Sequence, residues 1–129
     1  MNDVASPPRK TALYPVLAVD NPSRAADEFQ QLMPLETVFK TDWYHHLKSA
    51  DESMQLGFVR HDHDSVPPDQ KKAVQGVFIT IESEDTTADW DRLKDKFDTV
   101  VPLTDEDWGQ RHFIIRLSSG LLVDIVELI

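Results

Sequence analysis

The chain has 129 residues, the size of one domain. It is 40% hydrophobic and 28% charged, with 4 Gly and 8 Pro, which excludes a disordered or fibrous protein. The 13 Lys and Arg stand against 23 Asp and Glu, so a net charge of −10 repels nucleic acid and anionic lipid and draws cations. The absence of cysteine excludes disulfides, zinc ribbons and thiol nucleophiles.

No apolar run approaches the ~18–20 residues of a membrane span. The N-terminus lacks the apolar core of a signal peptide. A soluble cytoplasmic protein is the expectation, with partners among small molecules rather than nucleic acids or membranes.

Residues 1–11, with Pro7-Pro8 and Arg9-Lys10, read as a flexible tail. The apolar stretch from Ala12 to Val19 predicts a strand. Pro15 inside it cannot donate to a ladder, which places this strand at an edge or Pro15 at an unpaired position. Asp20-Asn21-Pro22-Ser23 is a turn and helix start. Ala25, Ala26, Phe29, Leu32 and Met33 follow at helical spacing until Pro34 stops the helix. Short extended pieces then come at Glu36 to Lys40, Trp43 to Leu47 and Met54 to Val59. A polar loop covers residues 61–73.

The same order then recurs. Val74 to Ile81 predicts a strand, and Asp85 or Thr86 caps a helix carrying Trp90, Leu93 and Phe97. Further strands are expected at Thr99 to Leu103, Arg111 to Arg116 and Leu121 to Glu127. Each half reads strand, helix, strand, strand, strand, although no strong residue identity links the halves. The predicted fold is α+β, with module one over 12–60, a linker over 61–73 and module two over 74–129.

Two βαβββ units of this size resemble the vicinal oxygen chelate superfamily, which includes glyoxalase I, extradiol dioxygenases and bleomycin-resistance proteins. Trp108-Gly109-Gln110-Arg111-His112-Phe113, followed by Gly120-Leu-Leu-Val-Asp-Ile-Val-Glu127, is similar to the family's closing pattern. Val19-Asp20 before the Phe29 helix resembles its strand-to-helix junction. One departure is Leu117-Ser118-Ser119-Gly120, where the family usually has Asp-Pro-x-Gly; serines still favour the turn. The resemblance implies cupped mixed sheets with helices on the outer face, and a homodimer with clefts between units.

It also implies ligand positions for a divalent metal in the first and last strands of each unit. The last-strand positions are Gln55 and Asp124, both oxygen donors. The first-strand regions offer only Tyr14 and Gln75. A stable site wants about three good protein ligands, so no metal and no cofactor are expected. His61-Asp62-His63-Asp64 is a loop cluster with the spacing to take a stray metal, but it reads first as a solvated loop, because nothing in the sequence supplies fixed partners to orient the ligands.

Alternation sets Leu56 and Phe58 on one face of their strand, with Gln55, Gly57 and Val59 on the other. In the last strand Val123 and Ile125 oppose Leu122, Asp124 and Val126. If the larger apolar pairs face the helices, Gln55 and Asp124 project into the cup. Of His45 and His46, one points in and one out.

The metal-free bleomycin-resistance proteins are small and acidic, and they resemble this chain in both respects. A cleft of aromatics and acids suits cationic or aromatic compounds, because ring faces attract cations by up to ~2 kcal/mol when desolvated. The candidate ligand-binding residues are Trp43, Tyr44, His45, Gln55, Trp108, Arg111, Phe113 and Asp124. The leading expectation is therefore a non-enzymatic binding protein that sequesters such a compound. A metal-dependent lyase, isomerase or dioxygenase of the superfamily is the first alternative. A non-catalytic dimeric ligand-sensing or interaction module is the second.

Overall fold

The computed structural model describes residues 7–129, so residues 1–6 of the expected tail lie outside it. Strand β1 (Val16–Val19) leads to helix α1 (Pro22–Gln30), then β2 (Glu36–Lys40), β3 (Tyr44–Lys48) and β4 (Gln55–Arg60). After the linker come β5 (Phe78–Glu82), α2 (Thr86–Leu93), β6 (Asp98–Glu106), β7 (Gln110–Arg116) and β8 (Leu122–Leu128). These form two four-stranded mixed sheets, ordered β1-β4-β3-β2 and β5-β8-β7-β6. In each, the first strand runs parallel to the last and the remaining pairs are antiparallel. No helix among the described residues is long and apolar enough to cross a membrane.

Prolines set several boundaries. β1 begins one residue after Pro15, whose carbonyl accepts from Gly57 N at 3.0 Å, so the missing N–H costs no ladder bond. Pro102 lies where the register between β6 and β7 shifts, and β6 is an edge strand. This bulge lets β6 run on to Glu106, beyond the expected end at Leu103. β5 starts at Phe78 rather than Val74. Val74 N instead donates to Ala18 O beside β1, and Gly76 at φ 75° turns the chain before β5.

Both helices start within the segments expected, and Asp85 rather than Thr86 caps the second. The Asn21 side chain accepts from Arg24 N at 3.1 Å, and Asp85 accepts from Ala88 N at 3.0 Å. Glu127 of β8 adds a long-range cap, accepting from Thr86 N and Thr86 Oγ1, each at 3.0 Å. A carboxylate there also meets the positive end of the helix dipole.

The helix-side faces of both sheets share one hydrophobic cluster. Phe29, Leu47, Leu56 and Phe58 come from the first half, and Leu93, Phe113, Ile115, Val123 and Ile125 from the second. Polar ties cross the same boundary. Arg92 donates to Gln31 O at 2.6 Å, and Ser118 Oγ donates to Glu28 at 2.7 Å. The opposite faces of the two sheets are therefore left for other work.

Candidate functional site

Register decides which side chains reach the open face of the first sheet. Leu47 pairs with Leu56, and both are buried on the helix side. Tyr44, His46 and Lys48 then share the open face with Val59, Gly57 and Gln55, their partners on β4. Val16 and Ala18 of β1 extend it, since they pair with Gly57 and Val59.

A groove of about 1290 Å³ lies over this face. Its aromatic wall is Tyr14, Phe39, Trp43 and Tyr44. The linker forms the other wall, through Val66, Pro67, Gln70, Lys72 and Val74. Trp43 is fixed by His63 of the linker, stacked on it at 3.6 Å between centroids and 3° between planes. Among the described residues no carboxylate lines the groove, although the chain as a whole is strongly acidic.

A polar chain crosses the floor. Tyr44 Oη lies 2.7 Å from His46 Nδ1, and His46 Nε2 lies 2.9 Å from Gln55 Oε1. The amide oxygen is an acceptor, so Nε2 carries the hydrogen, and Nδ1 accepts from the Tyr44 hydroxyl. Burial, aided by Tyr14, raises the Tyr44 pKa above the ordinary phenol value, which keeps that hydroxyl a donor. Tyr14 closes the other side of the imidazole edge-on, 4.6 Å between centroids. Gly57 makes the chain possible, because a Cβ there would collide with Tyr44 Oη.

The second sheet presents a different open face. His112 and Asp124, both buried, meet through Nδ1 and Oδ1 at 2.8 Å, and Glu106 approaches Nε2 at 3.4 Å. His112 pairs with Val126 just as His46 pairs with Gly57. Asp124 and Gln55 each stand two residues before that partner. The halves thus repeat a histidine–acceptor pair without repeating sequence. A smaller cavity of about 560 Å³ lies beside β5, lined by Phe29, Leu32, Met33, Leu56, Ile79 and Ile81 among others.

Among the sequence candidates, Trp43, Tyr44 and Gln55 come together in the groove. Asp124 faces the open side of the other sheet, and Trp108 sits at the β6–β7 turn, 66% exposed, donating to Gln110 Oε1 at 2.8 Å. Three candidates point elsewhere. His45 shares the helix side with Leu47 and bonds Thr37 Oγ1 at 2.9 Å. Phe113 is fully buried against Trp90. Arg111 lies on the Phe113 face of β7 and forms an ion pair with Asp105 at 2.7 Å. The groove also recruits Tyr14, Phe39 and His46, which were not among the candidates. For His46 the sequence carries the signal: Leu47 belongs to the core, so alternation sends His46 to the open face and His45 to the helix side.

His45 carries a pH consequence. Burial lowers its pKa below the ordinary imidazole value, Lys40 adds to this, and Asp27 opposes it. The unfolded chain then binds the proton that the folded chain resists. The associated stability is present above the unfolded pKa of about 6.5 and is lost as pH falls through the folded value. Urea unfolding midpoints are expected to drop between pH 7.5 and 5.5, and His45→Gln is expected to flatten that drop. An equal slope in the variant would assign the effect to other groups.

The residues do not suit the divalent metal implied by the resemblance. Gln55 Oε1 is engaged by His46 and Asp124 Oδ1 by His112. Tyr14 packs on His46. Among the described residues no group of three or more His, Asp or Glu side chains is arranged to hold a metal ion. In the His61–Asp64 loop, Asp62 pairs with Arg60 and His63 bonds Ser65.

The architecture is the glyoxalase/bleomycin-resistance fold. A member of the glyoxalase/bleomycin resistance protein/dioxygenase superfamily from Sphaerobacter thermophilus is similar over 92% of this chain and 98% of its own, with a TM-score of 0.75 at 17% identity. A glyoxalase/bleomycin resistance protein/dioxygenase family enzyme from Burkholderia phytofirmans gives 0.75 at 10% identity, covering 90% and 97% of the two chains. The bleomycin-binding protein of Streptomyces verticillus, complexed with copper(II)-bleomycin, gives 0.63 at 17% identity over 91% and 95%. No family model matches the sequence, and no curated protein matches it.

Proposed function

We propose that the protein binds a planar aromatic small molecule, without a metal, in the groove on the open face of β3 and β4. The observation that carries this is the convergence of Tyr14, Phe39, Trp43 and Tyr44 on a groove of about 1290 Å³. Four aromatic side chains beside solvent offer stacking worth roughly 0.5–1.5 kcal/mol per pair beyond area burial. The fold serves ligand binding in the bleomycin-binding protein as well.

The cationic preference expected from sequence relied on Asp124, which lies outside this groove. Aromatic groups occupy one open face and the acids Asp124 and Glu106 the other. A homodimer that sets the first sheet of one copy against the second sheet of another joins them in one cleft, twice by symmetry. Large exposed apolar side chains support such pairing: Leu13, Phe39, Phe78, Trp108, Leu128 and Ile129 are each more than half exposed.

Tryptophan fluorescence of the full chain, titrated with 2-naphthol, tests the binding. Saturable quenching is expected, and a linear response up to the solubility limit would refute it. Light scattering at micromolar concentration tests the assembly, for which the mass of two chains is expected. A single-chain mass would leave the acids out of the cleft.

A further inference from the structure

The floor chain has a direction, and that direction has a consequence for ligand choice. Gln55 Oε1 accepts from His46, so His46 Nδ1 must accept from Tyr44. The Tyr44 proton is committed to the imidazole, while the lone pairs on its oxygen remain unspent. Around it on the strands, Phe39, Trp43, Lys48, Val16, Ala18 and Val59 carry no side-chain acceptor, and Gln55 Oε1 is already engaged by His46. The remaining side-chain oxygens of the groove, those of Tyr14, Ser65, Gln70 and Gln75, belong to segments outside β3 and β4. An incoming group on this floor therefore meets an acceptor flanked by aromatic rings.

We propose that the Tyr44–His46–Gln55 chain makes the groove selective for planar aromatic ligands carrying a phenolic hydroxyl, which donates to Tyr44 Oη. The proposal rests on the aromatic-binding function above and names its ligand class. The hydroxyl hydrogen of the ligand points at Tyr44 Oη, the Tyr44 hydrogen at His46 Nδ1, and the Nε2 hydrogen at Gln55 Oε1. Three aligned bonds polarise one another, so Tyr44 Oη is a stronger acceptor than an isolated phenol oxygen. Gly57 and Tyr14 hold the geometry. The first leaves room for the Tyr44 ring over the sheet, and the second packs its ring against the imidazole.

The test compares 2-naphthol with 2-methoxynaphthalene, which keeps the ring and loses the donor. The ether partitions more readily into any apolar site, so the informative quantity is how their affinity ratio changes between proteins. Replacing Tyr44 by Phe removes the acceptor and leaves the ring. The wild type is expected to favour the naphthol roughly three- to tenfold more than Tyr44→Phe does, the worth of one buried neutral hydrogen bond. Gly57→Ala, which retains the hydroxyl and displaces it, is expected to lose the same preference, and it serves if Tyr44→Phe does not fold. Equal ratios in the wild type and the variants, with both probes bound, would overturn the selectivity while leaving aromatic binding intact. Failure of both probes to bind the wild type would overturn both.

Discussion

Phe113→Ala is expected to lower the unfolding free energy by about 3–5 kcal/mol, as large-to-small changes of buried aromatics do. Phe113 is fully buried, lies in the cluster shared by both sheets, and meets Trp90 edge to face at 5.3 Å. Truncation leaves a cavity at the junction of β7 with α2, and neither sheet can shift without disturbing the other. The melting temperature is expected to fall on the order of 10–20 °C. At a temperature where the variant is folded, 2-naphthol binding is expected to match the wild type, because the groove lies on the far face of the other sheet. A stable variant with impaired binding would instead support the ligand-lining role that the sequence suggested for Phe113.

Trp43→Ala is expected to weaken binding of a planar aromatic ligand by ~2–3 kcal/mol, the range of a buried aromatic anchor. Trp43 is half-buried, stacked on His63 and 5.8 Å from the Tyr44 ring. Its loss removes ring surface from the groove and frees the linker loop that forms the opposite wall. Isothermal titration separates the two effects when His63→Ala is measured alongside. The loop variant is expected to lose less affinity than Trp43→Ala. Equal losses would make Trp43 a buttress for the loop rather than a contact for the ligand.

The element order was legible because the local signals agreed with the fold. Asn21 and Asp85 cap their helices, Pro34 follows the first, and the turn at Ser118-Ser119-Gly120 separates the last two strands. Alternation also placed Leu56 and Phe58 on the core side and Gln55 on the open side, as register confirms. Applied to β3 and β7 with Leu47 and Ile115 as anchors, the same rule sends His45, Arg111 and Phe113 to the helix side. Residue type alone, aromatic or charged, is what marks those three as candidates, and residue type carries no information about face.

What the sequence did not reveal comes from long-range packing. The linker folds back over β1 through Val74 and stacks His63 on Trp43, and no local pattern announces either contact. The link from Tyr44 to Gln55 needs the diagonal neighbour relation between β3 and β4 and the space left by Gly57, which only register supplies. Net charge misled for a related reason. Ten excess acids describe the whole chain, yet no carboxylate among the described residues lines the groove.

Side-chain NMR of the labelled protein titrated with 2-naphthol tests the location of the site most directly. The largest shift changes are expected at the Trp43 indole, the Tyr44 ring, the His46 imidazole and the Gln55 amide, saturating together. Changes confined to His112 and Asp124, or to Met33 and Ile79 around the smaller cavity, would contradict a binding groove on the open face of β3 and β4.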